Sequence, residues 1–155
     1  MNIIKAIKYI GRKEQYEIEG LEILNYNIDG IWLDEALEQK YPNLGINQLI
    51  PSLLYKFDEE EVKEFISDNI FPKVNQTVNC PILTCNQGCG LSCTNVVAEI
   101  ENRGDKIIWK RLGLRDMGLN KPIQWLDSFP YLEFDCEEYN NLLEDFERIR
   151  NELYQ

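Results

Sequence analysis

Cysteine is the residue type in this chain with the most chemistry in it. Four of the five cysteines fall in one short stretch, Cys80-Pro81-Ile82-Leu83-Thr84-Cys85-Asn86-Gln87-Gly88-Cys89-Gly90-Leu91-Ser92-Cys93. Four thiolates are enough for a tetrahedral zinc. Structural zinc sites usually bring two close pairs about 12 to 20 residues apart. Here the cysteines are separated by four, three and three residues, so one loop must wrap the ion by itself. Gly88 and Gly90 permit such a wrap, because glycine reaches backbone angles closed to other residues. Three readings stand side by side: partly buried structural thiols in a tight turn, a zinc site on Cys80, Cys85, Cys89 and Cys93, and a disulfide or thiol switch. The spacing favours structural thiols. Cys136, at the head of the last predicted helix, reads as a packing residue.

The chain has no histidine. Ser–His–Asp and Cys–His catalysis in their usual forms therefore lack a base, and histidine-ligated metals are excluded. No glycine-rich phosphate loop is present, nor a C-x-x-C redox motif. Carboxylates are abundant, and Asp34-Glu35, Asp58 to Glu61 and Glu137-Glu138 are the runs that could hold Mg²⁺. Acids at helix starts are more often solvated caps that complement the helix dipole. Glu38-Gln39-Lys40 and Glu61-Val62-Lys63 match a nuclease Glu-x-Lys element in three residues only. Arg103-Gly104-Asp105 reads as a plain turn.

These residues sit on a chain of 155 residues, long enough for a single domain with a real core. Hydrophobic residues make up 44% and charged residues 28%, the balance of an ordinary globular protein. Net charge is −11, from 27 acids against 16 bases. Such a surface repels a phosphate backbone and an anionic membrane, and it attracts a basic protein. The plainer reading is that the charge serves solubility alone. No apolar run approaches the roughly 20 residues of a membrane span. Lysines interrupt the apolar stretch at the start, which a signal peptide does not allow. A cytoplasmic location follows as the expectation, and there thiols or a metal come before disulfides.

The periodicity predicts an α+β fold, with an antiparallel sheet, a central hairpin at about 95–112 and helices packed on it. Strands are expected over Ile3 to Ile10, Tyr16 to Glu19 and Ile23 to Ile28, the last with Leu24, Tyr26 and Ile28 on one face. Asp29-Gly30 is a turn signal. A helix follows from Ile31 to Tyr41, with Trp32, Ala36 and Leu37 sharing a face, and Pro42 ends it. Pro51 rules out an uninterrupted element across 49–54. A helix capped by Asp58 and Glu61 buries Val62, Phe65, Ile66 and Ile70. Asn95 to Glu101 and Lys106 to Leu112 flank the turn Asn102-Arg103-Gly104-Asp105. A C-terminal amphipathic helix, capped by Asp135 and Glu138, presents Tyr139, Leu142, Leu143, Phe146, Ile149 and Leu153 at helical spacing.

Cys80-Pro81, Cys85 and Gly88-Cys89-Gly90 precede a Val96 to Ile100 strand and Ile107-Ile108-Trp109. With Phe134-Asp135 before Glu138-Tyr139, this pattern resembles a group of small uncharacterised bacterial proteins over residues 80 to 145. Their first cysteine pair is closer than Cys80 and Cys85. More broadly, a short, acidic, histidine-free single domain is similar to the immunity proteins of bacterial contact-dependent and polymorphic toxin systems. That resemblance implies a binder that masks a basic toxin domain; with it go the expectations of a cytoplasmic, non-enzymatic protein with no nucleic acid or membrane partner and no cofactor, zinc being the possible exception. Trp32, Tyr41, Trp125 and Tyr131 are candidate interface anchors beside their alternative role in the core. A cysteine-built zinc adaptor and a carboxylate- and Mg-dependent enzyme are the competing readings.

Overall fold

The computed structural model describes residues 1–8, 24–54, 60–85, 91, 93–116 and 120–153, with the backbone alone at Lys8, Asn47 and 60–62. The expected strand at Tyr16 to Glu19, the Asp58 cap and the Gly88–Gly90 wrap with Cys89 lie outside the described residues.

The N-terminal strands pair with one another. β1 (Ile4–Lys8) runs antiparallel to β2 (Leu24–Ile28), and β2 to the two-residue β3 (Ile31–Trp32). Asp29 and Gly30 both take positive φ, 54° and 83°, which is the type I′ turn that suits a two-residue hairpin. This hairpin claims Ile31 and Trp32 as strand residues, so helix α1 (Leu33–Lys40) starts two residues later than the periodicity predicts. Its buried residues are Leu33, Asp34 and Leu37, with Trp32 and Ala36 only half-buried.

The second sheet is larger. It runs β4 (Leu49–Pro51), β5 (Thr77–Cys85), β6 (Asn95–Asn102), β7 (Lys106–Arg115) and β8 (Gln124–Trp125), all antiparallel, with β9 (Leu132–Asp135) also on β7. The β6–β7 hairpin falls where the sequence places it. Gly104 (φ 92°) donates its N–H to Asn102 Oδ1 at 2.8 Å in the turn. The register of β5 slips between Pro81 and Leu83. A proline lacks the ladder N–H, and strands accommodate it at such bulges. Cys80 and Cys85 therefore lie within a nine-residue strand, where the sequence suggested a turn.

Helix α2 (Glu60–Ser67) buries Ile66, and Ile70 follows it into the core. Phe65 instead stands at the surface, so the predicted stripe is narrower than read. Helix α3 (Cys136–Leu153) follows β9 without a loop, and the Glu138 N–H donates to Asp135 Oδ2 at 3.1 Å as an N-cap. Its inward residues Tyr139, Leu142, Phe146 and Ile149 are all buried, as the spacing requires. With both sheets antiparallel and helices packed on them, the class is α+β. One core joins the layers, centred on Tyr26, Trp109, Phe134, Tyr139 and Phe146.

Candidate functional site

Of the four cysteines of the segment, Cys80, Cys85 and Cys93 are described. Cys80 points into the core and is fully buried, its Sγ 3.5 Å from the Pro81 carbonyl and 3.8 Å from that of Ile66. Burial pushes its thiol well above its ordinary value. Cys85 is half-buried at the end of β5, five residues on. Five residues of strand span about 16 Å. Two sulfurs on one zinc lie about 4 Å apart, given Zn–S bonds near 2.3 Å. Cys80 and Cys85 thus cannot share an ion while β5 stays extended. Cys93 is disulfide-bonded. The least favoured of the three readings is therefore the one seen at Cys93, and structural burial the one seen at Cys80. Cys136 is half-buried, and its N–H donates to the Asp105 carbonyl at 3.2 Å.

Of the carboxylate runs, Asp34-Glu35 and Glu137-Glu138 lie on different helices, and the side chains of Asp58 to Glu61 lie outside the described residues. Asp34 is buried on α1, while Glu137 is exposed at the head of α3. No group of three Cys, Asp or Glu side chains suited to a metal occurs among the described residues. Both Glu-x-Lys triplets lie on helices, and Lys40 Nζ donates to the Ser128 carbonyl at 2.7 Å. Of the four candidate anchors, Tyr131 alone is exposed. Trp32, Tyr41 and Trp125 are half-buried. Tyr41 Oη accepts the Ser128 N–H at 2.9 Å, and the Arg111 guanidinium lies 3.7 Å from the Trp125 ring centroid.

Charge, however, is unevenly divided between strands and helices. Strands β6, β7 and β9 balance four acids (Glu99, Glu101, Glu133, Asp135) with four bases (Lys106, Lys110, Arg111, Arg115). Cross-strand pairs link several of them: Arg111–Glu99 at 3.3 Å, Lys106–Glu133 at 3.4 Å and Lys110–Glu101 at 3.7 Å. The three helices carry twelve acids against four bases (Lys40, Lys63, Arg148, Arg150). The helices thus hold a surplus of eight negative charges out of the net −11.

A groove of about 270 Å³ lies between β1 and α3, lined on the helix by Glu138 and Asp145. One wall is Ile4, Lys5, Ala6 and Ile7. A strand face offers alternate residues, so four consecutive ones mark the strand's edge. The other wall is Glu138, Asn141, Leu142 and Asp145, the i, i+3, i+4, i+7 pattern of one helix face. Asn2 fixes the groove's geometry. Its Nδ2 donates to Asp29 Oδ2 at 2.6 Å, its Oδ1 accepts the Glu133 N–H at 2.9 Å, and its own N–H donates to the Glu133 carbonyl at 2.8 Å. The Ile3 N–H donates to Asp29 Oδ1 at 2.8 Å. The Asn2 amide and then the Ile3 N–H hold the Asp29 carboxyl below its ordinary pKa, so this anchor is present at neutral pH and lost as acid protonates Asp29. Sequence reading missed the groove. Its signal was the polar shoulder Glu138, Asn141 and Asp145 beside the apolar stripe of α3.

Comparison with protein-family models, curated proteins and solved structures gives no match to this chain. No helix among the described residues is long and apolar enough to cross a membrane.

Proposed function

We propose that this protein is a non-enzymatic binder of a basic protein partner, and that it acts as an immunity protein that neutralises a bacterial toxin domain by masking it. The sorting of charge carries the reading. Solubility alone asks for net charge anywhere on the surface, whereas here the larger sheet is balanced and the helices hold the surplus acids. A surplus of acids gathered on the helices favours and speeds encounter with a surface of opposite sign. A cytoplasmic site of action, where the toxin would be met, accords with this reading.

The test is co-expression with toxin domains encoded beside the gene, with growth as the readout, followed by stopped-flow association of the purified pair. Restored growth and an association rate that falls about tenfold or more between low and physiological salt support the proposal. Absence of protection from every such domain overturns it. An association rate indifferent to salt overturns the role given to the acidic layer.

A further inference from the structure

From the groove between β1 and α3, and resting on the reading of a basic partner, we infer that the partner is held by strand addition: an extended basic segment pairs with the edge of β1 opposite β2, which carries no further strand among the described residues, and lays its cations against Glu138 and Asp145. Among the described residues β1 has one strand neighbour, β2, apart from the single parallel bridge of Asn2 to Phe134. Backbone direction follows from the bonds at its start. The Ile3 N–H and carbonyl both point to the β2 side, to Asp29. The Asn2 N–H points the other way, to Glu133. Backbone groups alternate along a strand, so those of Ile4 and Ala6 point with Asn2, into the groove. Ile4 is closed over, but Ala6 is half-exposed. A backbone N–H and C=O on an open edge are a ready template for another chain.

Three further features fit an extended basic segment. The groove is smaller than the roughly 300–1,000 Å³ of small-molecule pockets, and its long wall is a strand edge. Ile3 and Ile7 are exposed beside it, 51% and 38%, and offer apolar contact to alternate side chains. Glu138 and Asp145 stand seven residues apart on α3, about 10 Å. That falls between the ~7 Å and ~13 Å of strand residues two and four apart, within reach of lysine arms. Lys5 is the one base among the lining residues, and its place in the strand alternation puts it with Ile3 and Ile7. Arg148 already pairs with Asp145 at 3.4 Å, an exposed pair that an incoming cation can displace. The same acids disfavour a second copy of this chain, which would bring like charges together.

The experiment uses the full chain, a peptide of alternating lysine and valine, and the same peptide N-methylated at alternate backbone amides. Amide hydrogen exchange is followed by NMR. Strand addition predicts that the lysine–valine peptide slows Ala6 exchange by about tenfold or more, and that the N-methylated peptide, equal in charge, does not. Ala6→Pro removes the outward N–H at an edge position where proline is tolerated, and should weaken binding by about tenfold with an unchanged fold. Glu138→Gln with Asp145→Asn should weaken it by about threefold or more. Equal binding of both peptides without Ala6 protection overturns strand addition and leaves the basic-partner reading standing. Binding of neither peptide overturns both. Ala6 protected in the free protein assigns the edge to residues of the same chain if the mass is that of a monomer. It assigns the edge to a second copy if the mass is doubled. Either result overturns the inference.

Discussion

Trp109 of β7 donates its indole N–H to the hydroxyl of Tyr139 of α3 at 3.2 Å, and the same hydroxyl donates to the Ile70 carbonyl at 2.7 Å. One buried oxygen thus ties the large sheet, the last helix and the segment after α2. The two rings meet edge to face at 88°, and Phe134 stacks on Tyr139 at 14°. Aromatic pairs of this geometry add to the stabilisation from burial, and they hold α3 against β7 and β9.

Tyr139→Phe keeps the ring and removes the oxygen. The Trp109 N–H and the Ile70 carbonyl then stay buried without their partner. Leaving such groups unmet costs about 1–3 kcal/mol. A urea titration followed by tryptophan fluorescence should show a lower midpoint with an unchanged slope. An unchanged midpoint would mean that water or backbone movement replaces the hydroxyl.

Stability should also fall in alkali. Burial raises the ionisation of Cys80, Tyr26 and Tyr139 above their ordinary values of 9.0 and 10.0. Tyr26 and Cys80 further oppose each other's charge, as do Tyr26 and Tyr139. The folded state keeps these protons while the unfolded chain sheds them from pH 9 upward. Their contribution is therefore complete below pH 9 and declines as pH rises beyond it. Denaturant midpoints measured between pH 7 and 11 should be level and then drop. Phenolate absorbance should reach the full eight tyrosines only as the protein unfolds. All eight ionising near pH 10 with the fold intact would contradict this account.

The elements with strong local signals were legible in the sequence. The β6–β7 hairpin is written in Asn102 to Asp105, and α3 in the spacing from Tyr139 to Ile149. What was not legible depended on long-range pairing. Ile31 and Trp32 have helical neighbours, yet the Asp29-Gly30 turn returns them to β2. Phe65 fits an apolar stripe, yet it stands at the surface while Ile66 and Ile70 enter the core. The cysteine segment misled because glycines and cysteines suggest turns, whereas Pro81 is absorbed by a bulge and Cys80 by the core. The groove has no motif, since it joins the first strand to the last helix across more than 130 residues.

Gly113 offers a local test of the outer sheet face. It pairs with Trp125, and a Cβ there would lie 2.8 Å from Trp125 Cε3 and closer still to Ile123 Cγ2. The Gln124 carbonyl, 3.2 Å away, closes the third side. Trp125 cannot simply lift, because Arg111 lies against its ring and is itself paired with Glu99 at 3.3 Å. Gly113→Ala should therefore push β8 off β7 and cost about 1–3 kcal/mol, the usual range for overpacking. Tryptophan emission should shift to the red as Trp125 is exposed, while the buried Trp109 keeps its environment. Ile123→Ala in the Gly113→Ala background removes the nearest clash and should recover part of the loss. If Gly113→Ala leaves both emission and stability unchanged, the close approach of β8 to β7 is wrong.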